Sequence, residues 1–274
     1  MVPVSTVIAC CITLFVSLIL PVLVLIILAV RYKKQGIVSA WLLGAAGFFV
    51  TQILIRLPVL TALQNQAWFS GFSKNHLFAY AFSLAFTAGL FELAGRFAVA
   101  KLLQKKMTCR RSLAAGLGHG GIEAMILLGI TYINNLAYIA MINAGTFDTV
   151  LAQAASLGVD ISQLELIRTQ LLTTAPALFL LGGFERILAM TGHTAMSMLV
   201  CYGVARKKTG ICMLLCLGIH TLMDLTAGIS LVLPAAAAYP LIYAILIAMA
   251  ALSLFVIREL FRRWKKEVSH DSEK

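Results

Sequence analysis

The chain has 274 residues, 61% of them hydrophobic and 12% charged, with a formal net charge of +11 and a mean hydropathy of +0.93. A soluble domain of this length does not carry such a composition. The Lys and Arg residues stand in short clusters between apolar runs, so the charge reads as a topology signal and no nucleic-acid partner is expected. The runs also lack the ten-residue alternation of an outer-membrane barrel, and a backbone in lipid must satisfy its own polar groups; the fold class is all-α, a polytopic bundle of about seven transmembrane helices.

In chain order, the first apolar stretch covers about residues 4 to 30 and is followed by Arg31, Tyr32, Lys33 and Lys34. It lacks a basic leading segment and is long enough to span, so it reads as a retained helix rather than a cleaved leader. Further stretches cover roughly 37 to 62, 77 to 100, 115 to 144, 174 to 204, 210 to 232 and 236 to 259, each near the roughly 20 residues that a 30 Å hydrocarbon layer needs. Basic clusters at Arg31 to Lys34, Lys101 to Arg111, Arg206 to Lys208 and Arg258 to Lys266 follow the first, third, fifth and seventh stretches. The positive-inside rule then predicts an outer amino terminus and a cytoplasmic carboxyl terminus. The expected organisation is one transmembrane domain over 1–264 and a polar cytoplasmic tail over 265–274. It describes a multi-pass protein of the cell membrane, surrounded by lipid, with its oligomeric state left open. The longest outer connection, about 145 to 173, holds Asp148, Asp160, Glu165 and Arg168 and predicts a short amphipathic helix on the membrane surface.

Ionisable side chains within the apolar stretches carry the functional signal, because each costs at least a few kcal/mol near the middle of a bilayer unless it faces protein or water. Glu92 and Arg96 sit four apart on the third stretch, the spacing of an intrahelical ion pair, which reads first as structural. The fourth opens Gly118-His119-Gly120-Gly121-Ile122-Glu123, stacking His119 and Glu123 on one face beside glycines that permit close approach. On the fifth, Glu185 and Arg186 precede a stripe of Arg186, Met190, His193 and Ser197; the sixth holds His220 and Asp224, again four apart.

Depth relates these groups. Glu123 lies 12 residues beyond Arg111, His193 13 before Arg206 and His220 12 after Lys208, so a rise of 1.5 Å per residue puts all three about 18 to 20 Å from the basic markers. His119 is then one turn nearer the cytoplasm, Asp224 one turn farther, and Glu185 near the outer end. Two imidazoles and a carboxylate at one level suit a catalytic Zn²⁺ with an open position. They equally suit a metal-free site in which a shielded Glu activates water and histidines donate to an oxyanion.

Taken together, the His119–Glu123 segment, Phe184-Glu185-Arg186 with Ala189, Met190 and His193, and His220 with Asp224 resemble the YhfC family of membrane peptidases, a group related to the CAAX-processing and bacteriocin-processing membrane proteases. The resemblance implies an intramembrane peptidase acting on a peptide or membrane-protein substrate. It implies Glu123 as general base, with His193 and His220 as oxyanion donors or, with Glu123, as zinc ligands. His119, Asp224, Glu185 and Arg186 are then supporting residues. The paired Glu of the CAAX relatives is here His119 with a lone Glu123, Ala189 stands where they carry Phe, and Asp224 where they carry Asn. A proton-coupled transporter and a non-catalytic scaffold are the alternatives from other classes. Haem between His193 and His220 is disfavoured by the neighbouring carboxylates. The six cysteines, Cys10, Cys11, Cys109, Cys201, Cys212 and Cys216, imply no disulfide framework; Cys212, Cys216 and His220 share a stripe that a soft metal would accept, although small apolar packing explains both thiols.

Overall fold

Continuous apolar sequence with no internal charge repeat can bury its backbone only as helix, and the computed structural model of the chain follows that rule. The structure describes residues 1–158 and 160–271, with side chains up to 265 apart from residue 159. Among these, seven helices are long and apolar enough to cross a membrane: α1 (Val4–Arg31), α2 (Ile37–Gln64), α4 (Leu77–Lys106), α5 (Cys109–Ala144), α8 (Pro176–Ala205), α9 (Thr209–Leu231) and α10, apolar over Ala235–Lys265 and helical to Asp271. Three shorter helices fill connections: α3 (Ala67–Asn75), α6 (Phe147–Ser156) and α7 (Ser162–Thr173). The connection at about 145 to 173 thus holds two helices where one was expected, and α3 fills a connection for which none was expected. Of the expected tail, residues 272–274 lie outside the described residues.

Ends of helices fall where local chemistry stops them. Gly145, at φ 72°, closes α5 in the left-handed conformation, with its N–H on Ile142 O and that of Thr146 on Met141 O; glycine meets this turn without a Cβ penalty. Pro176 opens α8, where its missing N–H would have no helical partner in any case.

The chain divides into two compact units. The first comprises Met1–Val22 and Ala124–Ile187. Val2, Cys10, Tyr132, Ile139 and Leu171 form its core. Two of its buried hydroxyls end on one backbone carbonyl: Thr13 Oγ1 and Tyr132 Oη both donate to Phe179 O, at 2.8 and 2.9 Å. Both α1 and α5 widen here into a π turn, at Phe15–Ile19 and Met125–Gly129.

The second unit comprises Leu23–Glu123 and Leu188–Lys274. Here α8 is buried around its whole circumference from Gly192 to Met198, so it is the core helix. Small residues set the spacing, as they must where lipid supplies no hydrophobic drive between helices. A β-carbon on Gly118 would sit 2.0 Å from Trp41 O, and one on Gly44 would sit 1.9 Å from Ala115 O, so α2 and α5 touch backbone to backbone. On α4, a β-carbon at Gly95 would reach Gly47 O at 2.7 Å. A third π turn, eight residues long, occupies Phe49–Arg56 of α2.

Candidate active site

Close helix approach in the second unit brings five helices' polar side chains to one place. Glu92 of α4 is the hub. Its Oε2 lies 2.9 Å from Arg96 Nη2, 2.9 Å from His119 Nε2 and 2.7 Å from His220 Nε2. Oε1 accepts from Gln52 Nε2 at 2.7 Å. His193 Nδ1 stands 3.5 Å from Oε2. Three imidazoles, from α5, α8 and α9, therefore surround a single carboxylate oxygen.

A second arm leads to Glu123. Arg96 Nη2 is 2.6 Å from His193 Nδ1, and because a guanidinium only donates, Nδ1 must accept. The His193 proton is thereby assigned to Nε2, which stands 2.7 Å from Glu123 Oε2. The rings are packed as well: His119 stacks on His193 with centroids 5.4 Å apart, His193 meets His220 edge-on at 5.3 Å, and Phe48 meets His119 edge-on at 5.3 Å.

Glu92, Arg96, His119, Glu123, His193 and His220 are between 1% and 8% exposed. Removing such charges from water costs several kcal/mol each unless they are compensated, and for Glu92 the Arg96 guanidinium and the Gln52 amide provide compensation. Asp224 lies at the wetter edge: its carboxylate is 32% exposed and 3.4 Å from His220 Nδ1.

The glycines around His119 now have an identified role. Gly118 meets the Trp41 backbone, and a β-carbon on Gly120 would be 3.0 Å from Met190 Cα and 3.1 Å from His193 Cβ. What approaches closely is neighbouring helix, on both sides of His119.

The residues expected to share one depth, Glu123, His193 and His220, stand in one cluster together with His119 and Asp224. Glu185 and Arg186 belong to the first unit, where they contact each other. Glu92 and Gln52 were absent from the expected site. For Glu92 the signal was present: it lies 13 residues before Lys105, the same distance that separates His193 from Arg206. Its neighbour Arg96 offered a complete local explanation that hid it.

Donor chemistry fits a metal. Ligand atoms of Glu92, His119, Glu123 and His193 all lie within 4.8 Å of one another, and neutral imidazole with carboxylate is a common set for Zn²⁺. The wider site also holds three carboxylates (Glu92, Glu123, Asp224) against two guanidiniums (Arg56, Arg96), and a divalent cation offsets such an excess. Among the described residues, the stripe of Cys212, Cys216 and His220 forms no comparable group.

Comparison with known proteins agrees with this chemistry. The model of a family described as YhfC intramembrane metalloprotease matches residues 16–247. The chain is also 28% identical over 236 residues, 85% of its own length and 89% of the relative's, to the uncharacterized membrane protein YhfC of Bacillus subtilis (strain 168). No solved structure matches.

Proposed function

Because the chain belongs to the YhfC intramembrane metalloprotease family, we propose that this multi-pass membrane protein hydrolyses a peptide bond in a peptide or membrane-protein substrate, with zinc as its metal and the Glu92 cluster as its centre. One observation carries the proposal: side chains from three helices place four nitrogen and oxygen ligand atoms within 4.8 Å in a buried site. Within that group, Glu92, His119 and His193 would hold the metal and Glu123 would be left to act on water beside it. Zinc, when bound, supplies Lewis-acid polarisation of the scissile carbonyl and makes a water acidic near neutral pH.

The chain's own groups do the rest. Glu123 takes a proton from the attacking water at a carboxylate oxygen and returns it to the leaving amine nitrogen. The Nε2–H of His220, now aimed at Glu92 Oε2 at 2.7 Å, donates to the oxygen that becomes negative as water adds to the carbonyl. Arg96, bonded to Glu92, holds the centre's negative charge in check. Burial excludes bulk water, so each of these interactions acts at low dielectric. Part of the same proposal is the orientation, amino terminus outside, supported by the alternating basic clusters.

A second reading has its own observation. Glu123, His193, Glu92, His220 and Asp224 follow one another at 2.7, 3.5, 2.7 and 3.4 Å, an alternation of carboxylate and imidazole that also suits a proton relay in a transporter.

Elemental analysis of detergent-purified protein, paired with cleavage of quenched-fluorescent transmembrane peptides, separates the two. Near-stoichiometric zinc is expected in the wild type, lost in Glu92→Gln, His119→Ala and His193→Ala. Glu123→Gln should keep zinc and lose hydrolysis, while His220→Ala keeps zinc with hydrolysis down about 10²- to 10³-fold. A metal-free wild type, carefully prepared, overturns the zinc centre and leaves the relay.

A further inference from the structure

The mechanism leaves Gln52 and Arg56 unused, although they sit on the longest of the three π turns among the described residues, and such turns gather at functional positions. Gln52 is 5% exposed. Its Nε2 donates to Glu92 Oε1 at 2.7 Å and lies 3.4 Å from Ala88 O. Its Oε1 lies 3.3 Å from Arg56 Nη1, and Arg56 is itself anchored by Nη2 on Leu84 O at 2.7 Å, with Thr87 Oγ1 at 3.4 Å.

This order of donors fixes the amide. An arginine has no acceptor, so the Gln52 oxygen must face Arg56, and the NH₂ must then face Glu92. Flipping the amide would set oxygen against carboxylate and NH₂ against guanidinium, two repulsions at once. Glu92 Oε1 is thereby held toward α2, and Oε2 is the oxygen turned to His119, His193 and His220.

We propose that Gln52 is a positioning residue for the metal ligand Glu92, and that Arg56 acts through Gln52 by locking its amide orientation. The inference rests on the zinc reading of the centre. Outer partners of metal-ligating carboxylates change metal affinity about 10- to 100-fold when removed, and Gln52→Met removes the donor while keeping length and flexibility.

The test is zinc affinity of the full-length protein in detergent, by competition with a chromophoric chelator, together with thermal melting in excess chelator. Gln52→Met should weaken zinc binding about 10- to 100-fold. Arg56→Met should weaken it less, and should add nothing in the Gln52→Met background, because the amide it orients is gone. In chelator, the melting shifts of Gln52→Met and Glu92→Gln should fall short of additive in the double variant, since both act on one contact, which the first removes and the second weakens by taking its charge. Unchanged zinc affinity in Gln52→Met, with affinity lost in Glu92→Gln, overturns the positioning role. A full additional loss from Arg56→Met in the double variant overturns the amide lock. If the wild type binds no zinc, the metal centre fails separately, and the melting cycle decides alone: additive shifts overturn the proposal, and a coupling leaves Gln52 positioning Glu92 in a metal-free centre.

Discussion

Both units bury polar side chains, but they satisfy them differently. In the first, Thr13 and Tyr132 end on one backbone carbonyl, Phe179 O, so each hydroxyl joins helices and nothing more is left to react. In the second, Glu92, Arg96, Glu123 and three histidines meet one another, side chain against side chain. A hydroxyl on a carbonyl has one arrangement; carboxylates and imidazoles can exchange protons for a metal and keep the same frame. Polar burial therefore marks packing in one unit and chemistry in the other.

Breaking that contrast should give a graded series in reversible unfolding. Arg96→Met has the largest expected effect, a loss of about 3–5 kcal/mol, because it leaves Glu92 buried with its cationic partner gone; much of the loss should return in Arg96→Met with Glu92→Leu, where both charges are removed. Gly118→Ala comes next, at about 1–3 kcal/mol or more, as its β-carbon meets Trp41 O, and it should lower zinc content because His119 moves with the helix. Thr13→Ala or Tyr132→Phe should each cost about 0.6 kcal/mol, the usual worth of a hydrogen bond between membrane helices, and leave zinc content unchanged. Smallest is Asp148→Asn, which opens the exposed pair with Arg168 at 2.5 Å; its cost should stay under about 1 kcal/mol and shrink with added salt. Zinc loss in the Thr13 variant, or its retention at wild-type level in Gly118→Ala, would erase the distinction between the units.

How much of this was legible in the sequence follows from range. Span boundaries were readable because hydropathy is local: the stretch expected at about 37 to 62 is helix over Ile37–Gln64, and that at about 4 to 30 is helix over Val4–Arg31. The fourth was placed six residues late because Cys109 to Leu113 reads as a basic loop, yet those residues already form the first turns of α5. The π turns left no trace, since a widened turn keeps the same apolar composition as the helix around it. At the site, depth measured from basic markers found the histidines. Glu92 shares that depth but was masked by its pairing with Arg96, whereas Gln52 needed knowledge of which helices touch, and that depends on contacts such as Gly44 with Ala115 and Gly95 with Gly47, which pair residues far apart in sequence.

Between Gly116 and Glu123, α5 has no face left to turn. Gly116 lies against Thr194, Gly118 against Trp41, His119 reaches Glu92, Gly120 lies against Met190, and Glu123 meets His193. A one-residue insertion upstream in α5 would rotate this segment by about 100° and bring Ala115, Leu117 and His119 to the places where Gly116, Gly118 and Gly120 now touch. Substitutions there act one at a time, but a change of frame disables all five contacts together, so length in this segment is constrained as tightly as identity.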